Sequence, residues 1–145
     1  ALLAAKSLGA DKITVLARRA KAAKELADRH SAKQTINYAG FGEYTGGFAE
    51  TSAVISSLPG PAGKDLDVPK ELFQAHLFDV AYDPWPSPLT SRWQDNGGKT
   101  SHGINMLINQ ALIQMRIFIN EDPQKKLPNE SELLLIMREA GAVGQ

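Results

Sequence analysis

Residues 77–110, LFDVAYDPWPSPLTSRWQDNGGKTSHGINMLINQ, decide the fold of this chain. The short apolar run from Leu77 to Ala81 has the length of a strand that is buried on both faces, so we predict a central strand of a parallel sheet. Three prolines follow within a few residues and cannot donate ladder hydrogen bonds, so the chain must leave the sheet as an ordered loop. In open α/β sheets, ligands bind just beyond the carboxyl ends of the strands. We therefore expect the loop after Ala81 to border a ligand site.

Two helices are predicted after the prolines. The first runs from Leu89 to Asn96 and is ended by two glycines. The second is long and apolar-periodic, from about Asn105 to Asn120, and it comes directly after His102 and Gly103. The sequence thus predicts that the proline loop and the start of the long helix are brought together.

The rest of the chain alternates short strands with helices. The predicted elements are a helix over 1–8 with Gly9 as its C-cap, a strand over 12–17, a helix over 20–30, strands over 33–38 and 53–57, a helical turn within 69–75, and a last helix over 129–140 that Gly141 ends. Such alternation is typical of an α/β protein with a doubly wound parallel sheet.

Composition and charge exclude several classes of function. The 145 residues carry 16 basic and 16 acidic side chains, so the net field attracts neither nucleic acid nor an anionic membrane. There is no cysteine, which excludes disulfides and fits a reducing compartment. The three histidines lack the spacing of metal ligands, so no metal site is expected. No apolar run approaches the ~20 residues of a membrane span, and we expect a soluble, cytoplasmic protein.

Two blocks of the chain resemble the shikimate dehydrogenase family. FDVAYDPWPSPL at 78–89 and GINMLINQA at 103–111 are similar to its patterns F-D-x-x-Y-x-P-x-x-T-P-L and G-x-G-M-L-x-x-Q-A. Ser87 stands where the family usually has Thr, and Asn105 where it usually has a second Gly. The resemblance implies the Rossmann-like, NADP-binding C-terminal domain of an oxidoreductase that interconverts shikimate and 3-dehydroshikimate on the route to chorismate and aromatic amino acids.

The first residues depart from a complete dinucleotide-binding fold. Such a fold begins with a strand and a G-x-G-x-x-G/A turn, whereas ALLAAKSLGADKITVLARR at 1–19 resembles the segment directly after that turn. In the strand order 3-2-1-4-5-6 the missing strand is central, and its loss would leave a gap of about 10 Å. We therefore expect residues 1–145 to be a segment of a longer enzyme, without the N-terminal substrate domain. We predict that another portion of the chain fills the gap left by the central strand, or that the sheet is rearranged.

Basic residues come after the first predicted strand of this chain. Rossmann-type folds place the adenosine ribose at the corresponding strand end, where an acidic residue favours NAD and an arginine accommodates the 2′-phosphate of NADP. Arg18, Arg19 and Lys21 stand there without an acid, so we predict that they bind NADP. Arg18 matches the arginine of the family pattern N-R-T-x-x-R-A. The alternative is an ordinary solvated helix start.

Two further strand ends carry candidate site residues. Ser56 to Gly60 correspond to the family block N-A-T-P-x-G-M, which faces the cofactor and makes Leu58 a candidate contact; the alternative is a plain turn with a rigid proline. Val80 and Tyr82 lie two apart on the predicted strand, so we expect their side chains to share one face while Asp79 points the other way. The resemblance assigns Val80 to the nicotinamide half of the cofactor and Tyr82 to the substrate. A strand-end tyrosine could instead bond a backbone carbonyl.

The long helix supplies the remaining candidates. Gly103, Met106 and Gln110 fall near one helix face at spacings of three and four residues. The resemblance assigns Gly103 and Met106 to the nicotinamide and Gln110 to the substrate. A soft apolar wall can hold a ring in place while an amide orients a hydroxyl. Ordinary core packing for Met106 and solvation for Gln110 are the alternative.

These predictions define one main function and two alternatives. The resemblance places the acid/base lysine and aspartate in the N-terminal domain, so no catalytic residue is assigned here and the segment alone is expected to be inactive. The expected partners are a small-molecule substrate and, if the protein forms a homodimer, a second copy, with no nucleic acid or membrane. A non-catalytic nucleotide-binding or assembly module of the same fold is one alternative, and a quinate/shikimate dehydrogenase relative is the other.

Overall fold

A computed structural model describes residues 1–31 and 35–142 of the chain, which divides into two compact units. The first unit comprises Ala1–Thr51 and Asp65–Leu72. The second unit comprises Ser52–Lys64 and the residues from Phe73 onward. Each unit contains a parallel sheet with helices, which confirms the predicted α/β class.

The first unit contains a two-stranded parallel sheet. Its elements are α1 (Leu2–Ser7), β1 (Ile13–Ala17), α2 (Ala20–His30) and β2 (Ile36–Gly40). The register pairs Ile13 with Ile36 and Ala17 with Gly40. Helix α2 buries Ala23 and Ala27, which lie four residues apart on one helix face.

Strand β2 corresponds to the strand predicted over 33–38. It ends at Gly40, two residues later than expected, and the predicted start at Lys33 lies outside the described residues.

The second unit contains a three-stranded parallel sheet. Its elements are β3 (Ala53–Ser56), β4 (His76–Asp79), α3 (Pro88–Asp95), β5 (Thr100–Ser101), α4 (Gly103–Asn120) and α5 (Glu130–Ala142), with short 3-10 turns at Gly60–Gly63 and Lys70–Gln74. The strand order is β3-β4-β5, so the strand predicted to be central does lie in the middle of its sheet.

The core of the second unit forms around α3. Trp93 is 1% exposed, and its indole nitrogen donates a 3.0 Å hydrogen bond to the carbonyl of Ala75. The ring of Phe73 meets it edge-on at 5.1 Å between centroids. Leu77 on β4 is completely buried. An aromatic pair of this kind contributes about 0.5–1.5 kcal/mol of stability beyond the burial of its surface. It therefore helps to hold α3 against β4.

Two expectations about β4 and the last helix are wrong. Phe78 on β4 is 45% exposed, so the strand is buried on one face only. The last helix does not end at Gly141 but continues to Ala142. A Cβ added at Gly141 would lie 3.0 Å from Ile104 and 3.4 Å from Ile108, so the absence of a side chain there permits close packing of α5 on α4.

The backbone hydrogen bonds form two separate ladders. Within the described ranges, β1 pairs only with β2, and β3 pairs only with β4. In the strand order 3-2-1-4-5-6, a doubly wound sheet without its central strand would show the same two sets of pairings. That another part of the chain fills this place stays a prediction. None of the helices in the described ranges is both long and apolar enough to cross a bilayer.

Candidate functional site

The candidate site lies at the carboxyl edge of the three-stranded sheet. Because β3 and β4 are parallel and pair Ser56 with Asp79, both strands end at the same edge. The turn after β3 lies beside the proline loop: a Cβ added at Gly60 would lie 3.7 Å from the carbonyl oxygen of Asp83. Half-buried Leu58 belongs to this turn. The loops after the two strands thus border one region.

A buried carboxylate shapes the proline loop. Asp79 is 3% exposed and accepts hydrogen bonds from the hydroxyl groups of Ser87 at 2.5 Å and Thr90 at 3.1 Å, and from the backbone N–H of Ala81 at 3.2 Å. Ser87 is also the N-cap of α3, accepting from the Thr90 N–H. One side chain therefore ties the end of β4 to the start of α3, and the intervening loop is held at both ends.

This network also corrects one expectation about the strand. Val80 N–H still bonds the carbonyl of Ser56, but the Ala81 N–H turns to the Asp79 carboxylate and β4 ends at Asp79. Val80 and Tyr82 consequently lie beyond the strand, and strand alternation does not set their directions. The prediction that they share a strand face is wrong.

Gly103 seats the long helix on the end of β4. Its N–H donates a 3.3 Å hydrogen bond to the carbonyl of Ala81. A Cβ added at Gly103 would lie 2.3 Å from the carbonyl oxygen of Val80 and 2.6 Å from that of Ala81, distances that no side chain can occupy. The predicted meeting of the proline loop and the helix start is thus confirmed, and it depends on glycine at this position.

His102 and Trp85 form a second link between loop and helix. His102 is the N-cap of α4, and its Nδ1 accepts a 2.9 Å hydrogen bond from the N–H of Ile104. Its ring lies 3.8 Å from that of Trp85. Burial lowers the pKa of the His102 imidazole, and the negative charge of Asp79 opposes that effect. Burial therefore favours the neutral form that the cap requires.

Sequence reasoning missed the role of His102. The spacing of the three histidines indicated only that they do not bind a metal. In the described ranges, no group of acidic or histidine side chains could hold a metal ion. The signal that could have identified His102 is its position immediately before the glycine that starts a helix, where a capping side chain is needed.

The predicted nicotinamide and substrate residues lie in the second unit. Tyr82 comes directly after the residue that bonds Gly103 and is 53% exposed. Met106 lies one helical turn after Gly103 and is 42% exposed, and Gln110 is exposed on the next turn. Val80 is half-buried. Large apolar side chains that stay exposed beside a tightly packed strand end are available to a ligand, while their individual roles remain predictions.

The predicted adenosine-side residues lie in the first unit. β1 ends at Ala17, and Arg19 is the N-cap of α2 with an extended backbone. Arg18, Arg19 and Lys21 are all exposed. Across 1–31 and 35–142, none of the three forms an ion pair with a protein carboxylate.

Comparison with known proteins gives a consistent result. No family model matches the sequence. A curated relative, the shikimate dehydrogenase (NADP(+)) of Leptospira interrogans, is 34% identical over 79 residues, which cover 51% of this chain and 27% of that protein. The crystal structure of Mycobacterium tuberculosis shikimate dehydrogenase matches with a TM-score of 0.73 and 27% identity, covering 92% of this chain and 48% of that chain.

A third match concerns the fold alone. Quinate dehydrogenase from Corynebacterium glutamicum, solved in complex with NAD, is 20% identical with a TM-score of 0.70, covering 97% of this chain and 49% of that chain. This chain therefore spans about half the length of these two solved structures. The Rossmann-like architecture predicted from the sequence is confirmed by these matches.

Proposed function

We propose that residues 1–145 form the NADP-binding domain of a shikimate dehydrogenase. The curated and structural relatives point to this family. The intact enzyme would transfer a hydride between NADP(H) and the shikimate/3-dehydroshikimate pair. The observation that carries this proposal is the seat of α4 on the end of β4 at Gly103, beside exposed Tyr82 and Met106.

In this proposal the protein binds and orients, because the nicotinamide cofactor supplies the hydride chemistry when it is bound. The bare backbone at Gly103 and the thioether of Met106 would hold the nicotinamide, with Val80 and Leu58 along the strand ends. Flexible, polarisable methionine suits a flat aromatic ring. The residues fit this group, because Gly103 presents no side chain and Met106 is exposed beside it.

The substrate would be oriented by two side chains. The Tyr82 hydroxyl can donate to a carboxylate or hydroxyl, and the Gln110 amide can donate and accept. Both side chains are exposed and belong to the same unit. No residue of this sequence is assigned as the acid or base of the reaction, which the family resemblance places in the N-terminal domain.

At the adenosine end, Arg18, Arg19 and Lys21 would bind the 2′-phosphate of NADP. Arginine binds phosphate bidentately through its planar guanidinium, and a hydrogen bond to a charged group contributes roughly 1.5–3 kcal/mol. The absence of ion pairs to these side chains within the described residues supports this role.

Cofactor preference tests the proposal. In the intact protein, the double variant Arg18→Ala, Arg19→Ala should raise the KM for NADP by about tenfold or more, because the charged bonds to the 2′-phosphate are lost. The KM for NAD, which lacks that phosphate, should change little. Arg29→Ala removes an arginine from the other end of α2 and is the matched control. Equal changes for NADP and NAD in the double variant would refute the phosphate role.

Two alternatives stand beside this proposal. One is a relative that acts on quinate, and a comparison of shikimate and quinate as substrates distinguishes it. The other is a non-catalytic module, which is favoured by the loosened N-A-T-P block, where Ser56 and Leu58 replace the family's Asn and Thr. A folded intact protein that turns over neither shikimate nor quinate with NADPH or NADH would select that module.

A further inference from the structure

His102 lies at the point where the proline loop meets α4 and makes two contacts there. Its Nδ1 accepts the Ile104 N–H, its ring packs on Trp85, and it directly precedes Gly103. Because Nδ1 is an acceptor, the neutral ring carries its proton on Nε2. Within the described residues, Nε2 is buried and has no hydrogen-bond partner. The imidazole is therefore adapted to the cap and the ring contact rather than to a polar network.

We propose that His102 is a positioning residue of the nicotinamide site. While its imidazole is neutral, and only then, His102 holds the proline loop against the first turn of α4. The inference rests on the proposed function for the identity of the ligand. The link between loop and helix rests on the geometry of this chain alone.

Protonation would remove the cap. An imidazolium has an N–H on both nitrogens, so Nδ1 would face the Ile104 N–H as a second donor and could not accept from it. The N-terminus of a helix also carries a partial positive charge that disfavours a cation at this position. Loss of the cap frees the first turn of α4, and with it the wall formed by Gly103 and Met106.

The charged groups around the ring come from three elements. Asp79 at the end of β4 favours the imidazolium. Arg138 of α5 lines the same cavity of about 190 Å³ as His102. The loop that carries Trp85 also carries Tyr82 and Asp83, both exposed to solvent. Burial of the ring disfavours the charged form and outweighs the effect of Asp79, so the pKa of His102 is lowered.

The two tryptophans allow a direct test that needs no cofactor. In the intact protein, the indole N–H NMR signal of Trp85, assigned with Trp85→Phe, should shift with pH as His102 titrates. Trp93 is 1% exposed and bonded to Ala75, so its signal is the internal reference and should not shift. His102→Asn keeps an oxygen acceptor for the cap but cannot titrate, so the Trp85 shift should disappear. His76→Asn, at the other end of β4, should behave as the wild type.

Cofactor affinity gives the second measurement. Between about pH 7.5 and about pH 5.5, the Kd of the wild type for NADPH should rise about fivefold more than that of His102→Asn, the size expected for loss of a helix cap. The nucleotide phosphates titrate identically against both proteins, so this comparison isolates His102. His102→Ala should bind weakly at both pH values.

Two results would overturn the inference. One is a Trp85 indole signal whose chemical shift does not change as His102 titrates. The other is the same pH dependence of the Kd for NADPH in the wild type and in His102→Asn. If the wild type binds no NADPH at either pH, the proposed function fails. The indole titration still decides the role of His102 in that case, so the two failures are distinguishable.

Discussion

Gly103 shows how one absent side chain determines the position of a helix. Gly103→Ala would place a Cβ 2.3 Å from the carbonyl oxygen of Val80, so α4 must move away from β4. We expect the free energy of unfolding to fall by about 1–3 kcal/mol, as for other overpacked sites, and NADPH binding to weaken. Urea unfolding followed by Trp fluorescence measures the first effect. Gly47→Ala, where an added Cβ meets nothing within 4 Å, is the control, and equal stability of the two variants would contradict the prediction.

Asp79 is a second residue whose loss should propagate. Asp79→Ala leaves the hydroxyl groups of Ser87 and Thr90 and the N–H of Ala81 without their buried acceptor. Unsatisfied buried donors are costly, so the free energy of unfolding should fall by about 2 kcal/mol or more. Asp95→Ala, an exposed carboxylate at the end of α3, should change it by less than about 0.5 kcal/mol. Chemical denaturation measures the free energy of unfolding of both variants. Equal values would contradict the structural role of the Asp79 network.

The candidate site was only partly predictable at this scale. The prolines after Ala81 and the glycine before the long helix indicated that loop and helix meet, because both residue types restrict the backbone locally. The contact between Trp85 and His102 was not predicted, because it depends on the path of the whole loop between two anchored ends. The Asp79 network was missed for the same reason: its partners lie up to 11 residues away.

At the scale of elements, helices α4 and α5 are joined by one bidentate ion pair. The guanidinium of Arg116 donates to both carboxylate oxygens of Glu130 at 2.6 and 2.7 Å, and Glu130 also accepts the N–H of Leu127. Hydrogen bonding from Arg116 lowers the pKa of Glu130 from 4.5 to about 2. Because the folded-state pKa is below the ordinary value, the pair stabilises the fold above about pH 4.5 and this contribution is lost as pH falls toward 2.

Glu130→Gln should therefore lower the Tm most at neutral pH. The Tm difference from the wild type should shrink as pH falls from about 5 to about 2.5, because the wild type loses the same charge by protonation. Differential scanning calorimetry at several pH values measures this. Asp28→Asn, which breaks the exposed pair of Asp28 with Lys24, should change Tm little at any pH. A Tm difference for Glu130→Gln that stays constant with pH would exclude the electrostatic explanation.

Elements with a strong local signal were predicted best. Helix α2 runs from Ala20 to His30 as predicted, because its apolar residues recur with helical spacing between clear boundaries. Strand β5 was missed, because Thr100 and Ser101 are only two polar residues that pair with an existing strand. Gly141 was misinterpreted as a terminator, because packing against Ile104 is a tertiary property.

At the scale of the whole molecule, the proposed roles of this chain are in binding, and none of its residues is assigned as the acid or base. We expect the 145 residues alone to show no steady-state reduction of NADP with shikimate, because a bound cofactor and an oriented hydroxyl still need proton transfer. The intact protein, assayed under the same conditions, is the positive control. Turnover by residues 1–145 alone would mean that a group in this sequence serves as the base.

The two ladders predict two levels of stability within this chain. The second unit buries Trp93 and Leu77 almost completely, whereas every residue of β1 in the first unit is only half-buried. Protection from hydrogen exchange follows local burial and hydrogen bonding. The amides of Leu77 on β4 and of Val80 directly after it, which donate to the carbonyls of Lys99 and Ser56, should therefore exchange most slowly.

The amides of β1 and β2 should exchange earlier and as a separate group, because within the described ranges no backbone ladder joins them to β3. Native-state exchange of residues 1–145 at increasing urea measures both groups. In the intact protein, a strand paired with β1 and β3 would raise the protection of the first group toward that of the second. One uniform protection for all five strands in residues 1–145 would show that side-chain packing alone makes the two sheets a single cooperative unit.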